Sequence, residues 1–433
     1  MKNKSFRNNV SWVFFGNLLY AIFAFFLNIF VARFLSKEDY GTINYIASWI
    51  SFFNAFAVLG INNVINKYLD ENTEKSNEYI NSAMFARIIS SILSIILLTF
   101  LMFIIEHGNI SIIYITLIYS LSFVFEIGQV LIYWFRYKRE AKIVAIMRLI
   151  AFLISAIVKM LAVLLFENIY LYTFGIVLET LLFSLLLIYK YRKEYTNKIK
   201  ISKDKIVRIL KTSYPFISAS LLITIYAQTD KIMLKKMLST SDVASYSVAV
   251  TIAGLMATFA SAIIEGYRPE IISCFRTNKE MYFRRLRQLY CFIFWLCMCY
   301  GIFITIFSKY VILLLYGEKY LSSISALSII VWYTSFSYFG VVNNLYMVAE
   351  NKERYVQITT LTGAITNILL NLLLIPKYGI VGAAIASLIT QFITNFGLLF
   401  VIKDLRPIIP LLIKGIFFRN IVTIKKRKIE KDV

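Results

Sequence analysis

Histidine is almost missing from this chain. His107 stands alone in 433 residues, so a histidine-built catalytic relay or metal centre has a single group to draw on. Cysteine is scarce too. Cys274, Cys291, Cys297 and Cys299 form no paired C-x-x-C spacing, and three of them fall within or beside one apolar run, which reads them as small apolar fillers. No G-x-x-x-x-G-K-[ST] phosphate loop occurs, which excludes ATP hydrolysis by that route. Charge is sparse at 16%, and acids are the scarcer sign, 24 Asp+Glu against 46 Lys+Arg. A soluble globule carries about 25% charged and about 45–50% apolar residues. Here 59% are hydrophobic and the mean hydropathy is +0.71, which requires an integral membrane protein and leaves no room for a soluble enzyme domain. The expectation is a protein that is not an enzyme and holds neither metal nor cofactor.

Long apolar runs fill the chain. Windows between charge clusters place twelve spans near 11-33, 41-65, 80-105, 111-135, 143-166, 170-189, 212-235, 244-266, 286-308, 323-347, 355-375 and 381-402. The first follows Lys2, Lys4 and Arg7, yet its apolar stretch is too long for a signal peptide and lacks a small-x-small cleavage site, so it is expected to be retained. With the N-terminus inside, the inward loops and both tails carry about 35 of the 46 Lys+Arg, and the outward loops about 7. That bias is the positive-inside pattern, so both termini are expected in the cytoplasm and the net charge of +22 needs no nucleic acid partner.

The basic stretch 190-211 reads as a connector between two six-span halves, 1-200 and 201-402, followed by a basic interfacial tail at 403-433 with KKRK at 425-428. The halves repeat. R-F-L-S-K-E-D-Y-G-T from Arg33 recurs 203 residues later as K-M-L-S-T-S-D-V-A-S from Lys236. Each segment joins the first two spans of its half, and each reads as a tight turn in which Ser or Asp caps the next helix. An even number of spans per half relates the halves by an axis along the membrane normal, with a substrate site expected between them.

Ionised side chains inside spans cost about 2.5–3.5 kcal/mol each and call for partners or a wet cavity. Arg87, Glu126, Arg148, Lys159, Glu179, Asp230 and Lys231 are the cases. Arg148 and Lys159 lie three helical turns apart, roughly 16 Å along one face with Ser155 between them, a basic stripe entering the bilayer. Ser122, Glu126, Gln129 and Tyr133 share a face of the preceding span, and Glu126 stands at a depth that allows it to pair with Arg148. Arg87, Asp230 and Lys231 lie nearer span ends, where anchoring competes with function. Glu179 has no partner in its own helix. Asn17/Asn28, Gly363/Asn367/Asn371 and Ser387/Gln391/Thr394 form polar faces of the kind that bind helix to helix. With catalytic and ATP-binding motifs absent, a transporter remains.

The chain resembles the Wzx-type polysaccharide repeat-unit flippases, in the polysaccharide-transport branch of the MATE-like MOP superfamily. The resemblance covers nearly all of residues 1-402. It is carried by N-x-x-W-x-x-x-G ending at Gly16, A-R-F-L-S-K-E-D-Y-G from Ala32 to Gly41, D-K-I-M-L-K-K-M-L from Asp230, and the run from Asn367 to Ser387 that contains I-P-K-Y-G-I-V-G-A-A-I-A-S. Ser36 and Ala244 replace glycines usual at those points. The resemblance implies an all-α membrane fold of about twelve helices in two six-helix bundles. It implies movement of an undecaprenyl-diphosphate-linked oligosaccharide from the inner to the outer leaflet of the bacterial cytoplasmic membrane, for O-antigen, lipopolysaccharide or capsule assembly. The expected partners are that lipid-linked oligosaccharide, membrane lipids and the polymerase and chain-length regulator of the pathway. Family cavities are cationic, which by helix and depth favours Arg148 and Lys159, with Ser155, Gln129 and Arg33 completing the binding set. Glu126, Glu179 and Asp230 are the candidates for coupling to a proton or sodium gradient. The competing readings are a MATE-type exporter of cationic drugs and a membrane polysaccharide polymerase.

Overall fold

A computed structural model of the chain describes residues 2–71, 76–195 and 200–417, with side chains from Gly16 onward in the first helix and through Leu69 in the third. Among the described residues there is no strand. The helices are α1 (Lys2–Phe34), α2 (Lys37–Val58), α3 (Ile61–Glu71), α4 (Ser76–Ile105), α5 (Ile110–Phe125), α6 (Val130–Tyr137), α7 (Ala141–Leu164) and α8 (Ile169–Glu194). They continue as α9 (Lys203–Met237), α10 (Thr240–Gly254), α11 (Met256–Thr277), α12 (Lys279–Leu315), α13 (Ser323–Ala349), α14 (Arg354–Phe392), α15 (Leu398–Val401) and α16 (Ile408–Gly415). A 3₁₀ turn, Glu126–Gln129, interrupts α5 and α6, and a π turn, Ile393–Gly397, interrupts α14 and α15.

Eleven helical stretches among the described residues are long and apolar enough to cross a membrane, the last running from Arg354 to Val401. That last stretch is two spans. At Gly379 the backbone leaves the helix (φ 58, ψ −135), three residues after Pro376, and a Cβ built on Gly382 would stand 2.2 Å from the Leu374 carbonyl oxygen. Residues eight apart in a straight helix are separated by about 12 Å along the axis, so the chain has doubled back here. Among the described residues this makes twelve helical stretches able to cross a membrane, including the separate pair expected at 355-375 and 381-402. The outward faces are apolar: Ile89, Leu93, Ile96, Phe100 and Phe103 on α4 are all exposed, a patch that a soluble monomer does not carry. The protein is a multi-pass membrane protein.

Backbone groups at helix ends have no water to turn to inside a bilayer, and the sequence supplies side-chain caps at the turns. Ser36 Oγ accepts from the Asp39 N–H at 3.0 Å and donates to the Asp39 carboxylate at 2.7 Å. At the repeat position Ser239 does the same to Asp242, at 3.1 and 2.6 Å. Asn109, Asn168 and Asn278 cap α5, α8 and α12.

By packing, the chain divides into two compact units, residues 1–228 and 229–433, with the division inside α9. In the first, α7 packs along α1 and α8, and α5 along α4 and α8. Its buried core at one end gathers Ile61, Ile65, Tyr68, Tyr79, Trp134 and Leu187. In the second, α13 lies against α10, α12 and α14, and α16 folds back on α12. There the Trp295 indole donates to the Ile416 carbonyl at 3.0 Å, and a Cβ on Gly415 would meet Tyr290 at 2.7 Å. The tail expected at 403-433 therefore begins as a helix docked on α12, and KKRK at 425-428 lies outside the described residues. Cys291 and Cys297 are buried, Cys274 is half-buried and Cys299 exposed, all as free thiols.

Candidate functional site

In the first unit, α1, α7 and α8 bring a set of polar side chains together. α7 runs unbroken from Ala141 to Leu164, so Arg148, Ser155 and Lys159 are fixed on one side at spacings of seven and four. Ser155 and Lys159 are buried against α8. There Gly175 leaves room for the lysine stem: a Cβ at that position would stand 2.7 Å from Lys159 Cγ. The Lys159 ammonium reaches Glu179 at 2.6 Å, and the two side chains are 6% and 17% exposed. Ser155 donates to the same carboxylate oxygen at 3.2 Å, and the Tyr20 hydroxyl donates to the other oxygen at 2.7 Å. Glu179 thus accepts three hydrogen bonds in a setting where an unpaired carboxylate would be costly.

Arg148 stands on the other side of Tyr20. Its guanidinium lies 4.2 Å from the Tyr20 ring centroid and donates to Asn17 Oδ1 at 3.4 Å. The expected Glu126–Arg148 pair does not form. Glu126 pairs with Arg87 at 3.8 Å, and Arg87 is 1% exposed, buried within the unit and not anchoring a span end. The reason is rotational: the Glu126–Gln129 turn is 3₁₀, tighter than α, and it turns Glu126 toward α4 while Gly128 presses on α8 with its N–H on Ser184 Oγ at 2.7 Å. Among the described residues the Arg87 Nε and Nη1 groups have no hydrogen-bond acceptor.

The other expected residues are not gathered at Glu179. Arg33 lies at the far end of α1, thirteen residues beyond Tyr20, roughly 20 Å along the axis, and is exposed. Gln129 is half-buried at the end of the 3₁₀ turn. Sequence reading missed Tyr20, which joins Glu179 to Arg148. Its signal was spacing: Asn17 and Tyr20 lie three residues apart on the α1 face that meets α7.

Asp230 sits in the second unit and is 6% exposed. Its partners are neutral: Asn371 Nδ2 at 2.6 Å, Ser387 Oγ at 2.6 Å and the Tyr246 hydroxyl at 2.5 Å. Lys231 follows in sequence and feels its charge, but among the described residues Asp230 has no ion-pair partner within 4 Å. Asn371 Oδ1 and Asn367 Nδ2 beside it are buried without partners. Asn367, Asn371 and Ser387, expected as helix-to-helix glue, therefore surround a buried carboxylate. Among the described residues no cluster of three His, Cys, Asp or Glu side chains could hold a metal ion.

Residues 6–269 match the polysaccharide biosynthesis protein family, more than half of the chain. The chain belongs to that family. Its similarity to the capsular polysaccharide biosynthesis protein CapF of Staphylococcus aureus is 24% identity over 401 residues, 89% of this chain and 96% of the relative. Among solved structures, the lipid II flippase MurJ in an inward closed conformation superposes with a TM-score of 0.73 at 15% identity, covering 95% of this chain and 92% of that one. An inward-facing multidrug resistance MATE transporter of the MOP superfamily gives 0.66 at 14% identity, covering 89% and 94%. These likenesses establish the MATE-like fold for this member of the family, with the cationic and acidic side chains described above in its two units.

Proposed function

We propose that this protein is a flippase that carries a diphosphate-linked oligosaccharide lipid from the inner to the outer leaflet of the bacterial cytoplasmic membrane, with both termini in the cytoplasm. The observation that carries the reading is Arg148, a guanidinium within a span, held by a ring and an amide and with no acidic partner among the described residues. A lipid diphosphate offers anionic oxygens that suit a guanidinium fork, and the sugars offer hydroxyls that suit Asn, Ser and Tyr. Lys159 contributes charge to the same stripe but is already engaged by Glu179, so Arg148 is the principal anion ligand. The positive-inside distribution of Lys and Arg supports the orientation. The name of the CapF relative and the fold shared with a lipid II flippase point the same way.

Transport of this kind needs a driving force, and Asp230 is the favoured coupling group. A carboxylate held by neutral donors can bind a proton or a sodium ion without first breaking an ion pair, whereas Glu179 and Glu126 each face a cation.

Disruption of the gene, with a leaflet-specific probe for the lipid-linked repeat unit and staining of surface polysaccharide, tests the reading. Lost surface polymer with repeat units trapped on the cytoplasmic leaflet is expected, and restoration by the wild-type gene but not by the Arg148→Ala, Lys159→Ala variant at equal membrane level. Normal polymer with no trapped intermediate contradicts it and favours drug export, and single repeat units displayed on the outer leaflet favour a polymerase.

A further inference from the structure

We propose that the cleft between α1, the end of α6 and the start of α7 is a phosphate-ester binding site at headgroup depth, apart from the Lys159–Glu179 cluster. Its walls include Gly16, Asn17, Arg136, Ala141, Ala145 and Arg148, and among the described residues no acidic side chain lines it. Two guanidiniums and the Asn17 amide therefore face one recess whose remaining walls are apolar or small.

Both cations are oriented before any ligand arrives. Arg148 is held against the Tyr20 ring and spends one donor on Asn17 Oδ1, which leaves most of its five N–H groups and the Asn17 amide N–H₂ to face an anion. Arg136 lies in the last turn of α6 with its guanidinium 5.9 Å from the Tyr133 ring centroid. Gly16 lets α1 close on α7, since a Cβ there would stand 2.6 Å from that of Ala145. The cleft measures about 30 Å³. On that scale one water needs about 10–15 Å³, so the recess admits two outward oxygens of a phosphate while the esterified part stays outside. A planar fork on either side suits those oxygens better than an ammonium would.

Depth limits the ligand. Arg136 ends a span, and Arg148 lies seven residues into α7, roughly 10 Å beyond the Lys138–Arg139–Glu140 turn. A phosphate at that level is carried by a lipid of the inner leaflet. Two lipids supply the chemistry: the diphosphate lipid of the transport reading, on its way into the protein, and a resident anionic phospholipid. Only the first source rests on that reading.

The test uses the full chain purified into phosphatidylcholine nanodiscs, with geranylgeranyl diphosphate and phosphatidylglycerol as probes and binding followed by native mass spectrometry. Arg136 and Asn17 are exposed, so R136Q and N17D are expected to fold normally. Loss of a charge-assisted contact is expected to weaken binding about tenfold in R136Q, and N17D, which adds a negative charge, to weaken it further. R136K is expected to recover part of the loss, and K203Q, removing an exposed charge outside the cleft, to change binding less than about twofold. Selective loss of the diphosphate identifies the site with loading of the transported lipid; loss of phosphatidylglycerol as well identifies a headgroup site. Wild-type binding of both probes by R136Q and N17D, equal weakening by K203Q, or no binding of either probe to the wild-type protein would overturn the proposal. If gene disruption traps no lipid intermediate while R136Q still loses phosphatidylglycerol, the transport reading fails and the site stands.

Discussion

The acids within the spans of the two units are stabilised in opposite ways. In the first unit Glu179 meets Lys159 at 2.6 Å and Glu126 meets Arg87 at 3.8 Å, so each acid faces a cation. In the second unit Asp230 rests on an amide and two hydroxyls. Both solutions avoid a bare carboxylate in the bilayer, but they leave different chemistry behind. An ion pair is spent on itself. A carboxylate solvated by neutral donors keeps its charge available to an arriving cation. On the proposed reading, anion handling falls to the first unit, where Arg148 faces no acid among the described residues, and cation coupling falls to the second.

The largest effect that breaks the comparison is expected from the Lys159–Glu179 pair. Removing one partner of a buried pair leaves the other uncompensated, at about 3–5 kcal/mol. K159A and E179A are each expected to lower thermal stability in detergent strongly, and the double variant by less than the sum. Additive losses in that double-mutant cycle would show that the pair does not act as a unit. D230N is nearly isosteric and is expected to leave stability close to wild type while the transport rate loses about tenfold or more of its response to an imposed proton or sodium gradient. A D230N protein that follows the gradients like the wild type would return the coupling role to Glu126 or Glu179.

Smaller effects sharpen the parallel between the halves. S36A and S239A each remove a helix cap of the same geometry, and each is expected to cost about 1 kcal/mol, equal within error by thermal unfolding. A marked inequality would mean that the two turns, alike in geometry, differ in load. The smallest effect concerns the end of the last crossing. There the Tyr355 hydroxyl donates to Asp404, Arg354 does so at 3.2 Å, and Lys352 reaches its carbonyl at 2.9 Å. The hydrogen bond from Tyr355, then that from Arg354, holds the Asp404 carboxyl below the ordinary carboxylate range. A folded-state value below the unfolded one means that the contribution is fully present above about pH 4 and is lost as pH falls through the folded value. Amide protection over residues 403–415, taken relative to the intrinsic exchange rate at each pH, is expected to fall in acid for the wild type, and D404N is expected to remove that dependence.

Much of this molecule was legible in its sequence because hydrophobic length and turn chemistry are local properties. The twelve crossings followed from apolar runs, and the Pro376–Gly379 reversal separated the last two even though their helices abut. The repeat at Ser36 and Ser239 announced caps that the structure displays with matching geometry. Ion pairing was not legible. Glu126 and Arg148 lie at compatible depths, but which acid meets which base depends on helix rotation, and the 3₁₀ turn at Glu126–Gln129 sends Glu126 to Arg87. The role of Tyr20 was hidden for the same reason, since a tyrosine on an apolar helix shows its partners only once α1, α7 and α8 are packed. The division of packing within α9 reflects contacts and not composition, while the basic connector 190-211 reflects charge.

The central claim is most directly tested by reconstituting the purified protein into vesicles with a diphosphate-linked oligosaccharide lipid and measuring how fast that lipid becomes accessible on the opposite leaflet. The account predicts protein-dependent movement that R148Q reduces about tenfold or more while the protein stays folded. Movement no faster than in protein-free vesicles, or equally fast with R148Q, would contradict it.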